Sequence, residues 1–139
     1  MTTIRSKIER MVAVINENKT VLDAVDLMTG KYIGAVVVIG NTGVKGVFTE
    51  RDLMVKVVGQ RREPATVKLR DAISENILKV SPDESCSHCL ELMKQNRCRH
   101  LLVFEGEEFV GIVSLRDLVA LMLEEKEDLI SQLEKYITG

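Results

Sequence analysis

The sequence has no tryptophan, and its aromatic residues make up only 4% of the chain. Its interior must therefore be built from Val, Ile, Leu, Met and Ala. It has no long hydrophobic run. Apolar runs such as Ala35 to Ile39 fall far short of the roughly 20 apolar residues that cross a bilayer. The opening residues, Met1-Thr2-Thr3-Ile4-Arg5-Ser6, lack the apolar stretch of a signal peptide, so a cytoplasmic location is expected. Neither sign of charge dominates, with 19 Lys and Arg against 21 Asp and Glu. Such a balance offers no overall attraction to nucleic acid or to an anionic membrane, and neither is expected as a partner. Catalytic signatures are missing as well. There is no P-loop, no Gly-x-Ser-x-Gly and no His/Asp cluster with metal-ligand spacing. The expectation is a protein without enzymatic activity, bound metal or obligatory cofactor.

What is present is a repeat. Gly46-Val47-Phe48-Thr49-Glu50-Arg51-Asp52 returns 65 residues later as Gly111-Ile112-Val113-Ser114-Leu115-Arg116-Asp117. Leu27-Met28 matches Leu92-Met93, Val38 matches Val103 and Leu53 matches Leu118, at the same offset. Self-similarity of this kind fixes the architecture before any local motif does. It divides the chain into residues 3–58, a linker at 59–67, residues 68–123 and a helical extension at 124–139. Units of about 60 residues are marginal alone, so they are expected to share a core and to associate with a second chain.

Each unit reads strand, helix, strand, strand, helix, after a leading helical turn marked by Ile4 and Ile8 or by Leu69 and Ile73. The first strands are expected at Val12 to Ile15 and Ile77 to Val80. Thr20 and Ser85 have the chemistry of N-caps before apolar-periodic segments. Gly30 is expected to end the first helix in a left-handed conformation. Ala35 to Ile39 and Leu101 to Phe104 suit strands buried on both faces. Hairpin turns follow at Asn41-Thr42-Gly43 and Glu105-Gly106-Glu107, leading to strands at Val44 to Phe48 and Phe109 to Val113. In the linker, Arg61-Arg62 is read as a solvated pair, with phosphate contact as the alternative.

Three cysteines are an odd count, and Cys86-Ser87-His88-Cys89 has the C-x-x-C spacing of redox or metal sites. The repeat argues for packing instead. Cys86, Cys89 and Cys98 stand where the sister unit has Val21, Ala24 and Ile33. Free cysteine behaves as a small buried hydrophobe. A thiol redox protein using Cys86 and Cys89 stays as the enzymatic alternative.

Thr49-Glu50-Arg51-Asp52 and its copy carry the chemistry. Each is expected to begin a helix after a strand. A helix N-terminus suits a phosphate, and a carboxylate can accept from two adjacent ribose hydroxyls. The same Ser/Thr-x-x-Asp pattern is also a capping box that needs no ligand.

Together with Arg99-His100-Leu101-Leu102-Val103, these paired motifs resemble tandem CBS domains, the Bateman module, over about residues 3–123. The tail Gln132 to Ile137 is similar to the ends of small stand-alone bacterial proteins made of two such domains. The resemblance implies an α/β fold of two β-α-β-β-α units packed through their sheets with pseudo-two-fold symmetry. It implies a regulatory module binding adenosine compounds in clefts between the units, and a homodimer of four units acting on an unknown effector protein. AMP, ADP or ATP is the implied ligand class, with NAD(H) or S-adenosylmethionine also open. By the same resemblance, Asp52 and Asp117 would hold ribose hydroxyls, and Thr49 and Ser114 would contact ribose or phosphate. Ala13 and Leu78 would present backbone to adenine. Arg99 and His100 would meet phosphate, where the first unit has only Gly34 and Ala35. Members often have Pro in the strand where this chain has Val37 and Leu102.

The segment from Asp117 to Ile137 carries a broken apolar stripe, interrupted by Glu124-Glu125-Lys126-Glu127-Asp128. A partner helix is one destination for it and its own lobe is the other. A structural dimer without ligand is the third functional alternative.

Overall fold

The computed structural model describes residues 2–73 and 78–138. The first repeat contains β1 (Val14–Asn16), α1 (Val21–Lys31), β2 (Ala35–Gly40), β3 (Gly43–Thr49) and α2 (Glu50–Asp52). The second contains β4 (Lys79–Val80), α3 (Cys86–Asn96), β5 (His100–Glu105), β6 (Glu108–Ser114) and α4 (Leu115–Thr138). Each repeat forms a three-stranded sheet in the order β1-β2-β3 or β4-β5-β6. The first pair is parallel and the second antiparallel. The order strand, helix, strand, strand, helix is the one the sequence predicts. β1 starts two residues later than its apolar run does, and Ile77, expected in the matching strand, lies outside the described residues.

Local chemistry explains the boundaries. Thr20 caps α1 by accepting the Asp23 amide, and Ser85 caps α3 by accepting the His88 amide. The hairpins turn at Gly43 and Gly106, both at positive φ, where a side chain would be strained. The α1 terminus corrects an expectation. Gly30 lies inside the helix, and Tyr32 takes the left-handed conformation instead, as Arg97 does after α3. The apolar residue that follows decides this. The amides of Ile33 and Cys98 reach back to the Met28 and Met93 carbonyls, which closes a Schellman turn on a residue other than glycine.

Two equivalent cores result. One gathers Val21, Ala24, Met28, Val36, Val38 and Phe48; the other gathers Cys86, Cys89, Met93, Leu101, Val103 and Val113 at matching positions. The middle strands β2 and β5 bury three consecutive residues each, Val36 to Val38 and Leu101 to Val103. Among the described residues no helix is long and apolar enough to cross a membrane.

The compact units do not follow the sequence repeats. One is Met1–Arg10 with Leu78–Gly139, and the other is Met11–Ile77. Each leading turn therefore completes the core of the other repeat. Ile4 is fully buried among second-repeat residues, and its amide bonds to the Glu84 carbonyl. Leu69 does the same in the first repeat, its amide bonding to Lys19. The linker at 59–67 is likewise more than a spacer. The Pro64 and Val67 carbonyls accept the amides of Leu22 and Val21 at the start of α1, and Val67 is buried. Of the pair Arg61-Arg62, Arg61 is exposed as expected, whereas Arg62 is half-buried and its guanidinium donates to the Lys56 and Asp71 carbonyls.

The glycine that precedes each motif has a structural cause in the second repeat. Glu9 and Ile112 exchange both backbone hydrogen bonds, at 2.8 and 3.0 Å. A Cβ on Gly111 would sit 2.3 Å from the Glu9 carbonyl oxygen. Gly111→Ala should therefore push the N-terminal segment off β6 and lower stability by about 1–3 kcal/mol in urea unfolding, with early loss of amide-exchange protection at Glu9 and Ile112.

The cysteines pack as core residues. Cys86 and Cys89 are buried and Cys98 is half-buried. Burial, helped by Glu84 and Cys86, pushes the Cys89 thiol up to about 11. Burial also raises Cys86 and Cys98. Such thiols are poor nucleophiles, against the redox alternative. The raised native value makes a pH prediction. An unfolded thiol ionises near its ordinary value while native Cys89 stays protonated, so stability present below about pH 9 is lost as pH rises toward about 11. Cys89→Ala, the residue of the sister repeat, should flatten that alkaline decline in thermal unfolding. Native Cys86 and Cys89 should resist alkylation at neutral pH.

Candidate functional site

Each repeat brings its predicted site residues to one end of its own sheet. In the first, the Val37 amide bonds to the Ala13 carbonyl, Ala35 pairs with Thr49, and the Glu50 amide bonds to the Gly34 carbonyl at 3.0 Å. In the second, the Leu102 amide bonds to the Leu78 carbonyl, His100 pairs with Ser114, and the Leu115 amide bonds to the Arg99 carbonyl at 2.8 Å. The register thus gathers Ala13, Gly34, Ala35, Thr49 and Asp52 at one sheet end. It gathers Leu78, Arg99, His100, Ser114 and Asp117 at the other.

At each strand-to-helix junction the Ser/Thr-x-x-Asp motif forms a complete capping box. Asp52 Oδ2 accepts the Thr49 amide at 2.9 Å and its hydroxyl at 3.1 Å, while Thr49 Oγ1 accepts the Asp52 amide. Asp117 Oδ2 accepts the Ser114 amide at 3.0 Å and its hydroxyl at 2.8 Å, and Ser114 Oγ accepts the Asp117 amide. Both hydroxyls are thereby committed to the turn. Thr20 and Asp23 build the same box at α1, where hydrogen bonds from the Thr20 amide and then its hydroxyl hold the Asp23 carboxyl below its usual range. The box alone is therefore a cap. What distinguishes the junction of β6 and α4 is the pair Arg99-His100 beside it.

The two carboxylates differ in their second oxygen. Asp52 Oδ1 lies 3.2 Å from Lys56 Nζ. Asp117 Oδ1 has no hydrogen bond or ion pair among the described residues. The lysine is one signal that inspection of the motif alone misses. It lies four residues past Asp52, where the second repeat has Leu121.

The helices beyond these boxes also diverge. α4 runs unbroken for 24 residues and buries Leu118 and Leu121. After Asp52 the chain winds into a π-helical turn at Leu53–Val57 and a 3-10 turn at Val58–Gln60. The wide turn moves the inward position on by one residue, so Val57 is buried and Lys56 reaches the carboxylate. Among the described residues no group of three or more His, Cys, Asp or Glu is placed to hold a metal ion.

The CBS-domain family model matches residues 6–59 and 69–124. The chain is 33% identical over 125 residues to the mitochondrial CBS domain-containing protein CBSX3 of Arabidopsis thaliana, covering 86% of this chain and 61% of that protein. It thus spans less than two thirds of that relative's length. It is 29% identical over 118 residues to the CBS domain-containing protein YhcV of Bacillus subtilis, covering 85% of this chain and 84% of YhcV. Among solved structures it is similar to a CBS-domain protein from Burkholderia ambifaria assigned to signal transduction. There the TM-score is 0.83 at 32% identity, over 88% of this chain and 95% of that one. With two matched repeats, two β-α-β-β-α folds and these relatives, the chain belongs to the CBS-domain family as a tandem pair.

Proposed function

We propose that this tandem pair is a non-catalytic regulatory module whose second repeat binds an adenosine-containing nucleotide of the AMP, ADP or ATP class. One observation carries the reading. Among the described residues nothing engages the second carboxylate oxygen of Asp117, at the sheet end that also holds Arg99 and His100. An acceptor-only oxygen suits a ribose diol, and a basic pair suits a phosphate. The assignment to signal transduction of the Burkholderia relative is in keeping with it.

Calorimetric titration with AMP, ADP, ATP and adenosine tests this. Asp117→Ala should weaken every adenosine compound by about 1.5–3 kcal/mol while the fold persists. Arg99→Ala with His100→Ala should weaken AMP and leave adenosine nearly unchanged, and the affinity of the wild-type chain for AMP should fall as salt rises. Equal losses for AMP and adenosine in the double variant would remove the phosphate role.

We further propose that the chain works as a homodimer. Beyond Leu121 the outer part of α4 exposes Met122, Leu129 and Tyr136, and beside them Leu123, Ile130 and Ile137, each set at intervals of seven. Leu133 lies between them on the same face, 52% exposed. A stripe of this width on a helix that its own core does not cover is suited to a partner helix. Light scattering should give the mass of two chains at micromolar concentration. Leu129→Asp with Leu133→Asp should return the mass of one, with the circular dichroism spectrum unchanged.

A further inference from the structure

The two sheet ends carry the same capping box but are not equivalent acceptors. In the first repeat both oxygens of Asp52 are engaged, Oδ2 by Thr49 and Oδ1 by Lys56. Asp52 and Lys56 are 18% and 33% exposed, so bulk water screens their pair only partly. In the second repeat Leu121 stands at the matching position and is buried in the core, and it offers Asp117 no cation.

From this we infer that Lys56 closes the first repeat to a ligand diol, so that each chain takes one nucleotide, through Asp117. The inference rests on the nucleotide reading above and adds a specificity-determining residue to it. The physical reason is competition. A ribose diol approaching Asp52 must displace an ammonium from the oxygen it needs. It would have to replace a contact in which both partners are ionised with hydrogen bonds in which only the carboxylate is. At Asp117 the same diol meets an oxygen that no described residue engages.

The helix geometry supports a built-in role for the pair. A lysine at the position of Leu121 cannot be buried in an apolar core without a partner. The π-helical turn at Leu53–Val57 resolves this by placing Val57 inward and leaving Lys56 on Asp52. The first repeat thus departs from its sister both in backbone winding and in the state of its carboxylate, and the exchange of Leu for Lys lies at the centre of both differences.

Calorimetric titration of the full chain with adenosine and with AMP tests the inference. Adenosine is the sharper probe, because Gly34 and Ala35 give the first repeat no basic pair for a phosphate. The wild-type chain should bind one adenosine per chain. Asp52→Ala should leave the dissociation constant within about twofold, whereas Asp117→Ala should raise it by about tenfold or more. Lys56→Gln, which keeps the length of the side chain and removes its charge, should add a second adenosine per chain. Lys56→Leu, which copies the sister repeat, should do the same if the Gln variant is poorly folded by circular dichroism. A wild-type stoichiometry of two, a loss at Asp52→Ala equal to that at Asp117→Ala, or well-folded Lys56 variants still binding one would each overturn the inference and leave the nucleotide reading standing. No binding of either compound by the wild-type chain would overturn both.

Discussion

The arrangement of both sheet ends turns on one small ring of hydrogen bonds, made twice. An aspartate three residues into a helix accepts the amide and hydroxyl of the residue that ends the preceding strand, and that hydroxyl accepts the aspartate's own amide. The ring turns β3 into α2 and β6 into α4 without a loop. The first free amide of each helix is satisfied from across the sheet, by the carbonyl of Gly34 or Arg99. Because that amide ties the start of the helix to the residue before the middle strand, everything near the ring converges on one sheet end. The residues with binding chemistry are there because the turn is there. The same carboxylate that builds the turn has a second oxygen, and the fold does not need it.

Much of this was readable in the chain, because a duplicated sequence states each feature twice. Caps at Thr20 and Ser85, the hairpin glycines and the buried middle strands follow from local chemistry that tertiary contacts leave intact. The destination of Ile4 and Leu69 did not follow. Both repeats offer the same socket beside the first turn of their helix, so periodicity can say that a leading turn fills a socket but not which one. The left-handed Tyr32 escaped for a related reason. Gly30 is the residue best suited to that conformation, but the Schellman turn is set by where the apolar Ile33 must fold back.

The site shows the same division. The motif and the basic pair at Arg99-His100 are visible in the sequence, and the register brings them together. The state of each carboxylate was not visible, because it depends on helix winding. Lys56 is four residues from Asp52 on any helix. Its neighbour Val57 takes the inward place where the turn widens, which keeps the ammonium out of the apolar core. Duplication also explains why such divergence is tolerated. Two equivalent sheet ends need only one to keep an open acceptor, and the other is free to settle as a cap with an ion pair.

The most direct measurement is a crystal structure of the full chain grown with AMP. The expected result is a nucleotide whose ribose hydroxyls donate to Asp117 Oδ1, with its phosphate toward Arg99 and His100 and the Lys56–Asp52 pair intact. Ribose hydroxyls on Asp52, with Lys56 displaced and Asp117 unoccupied, would contradict it.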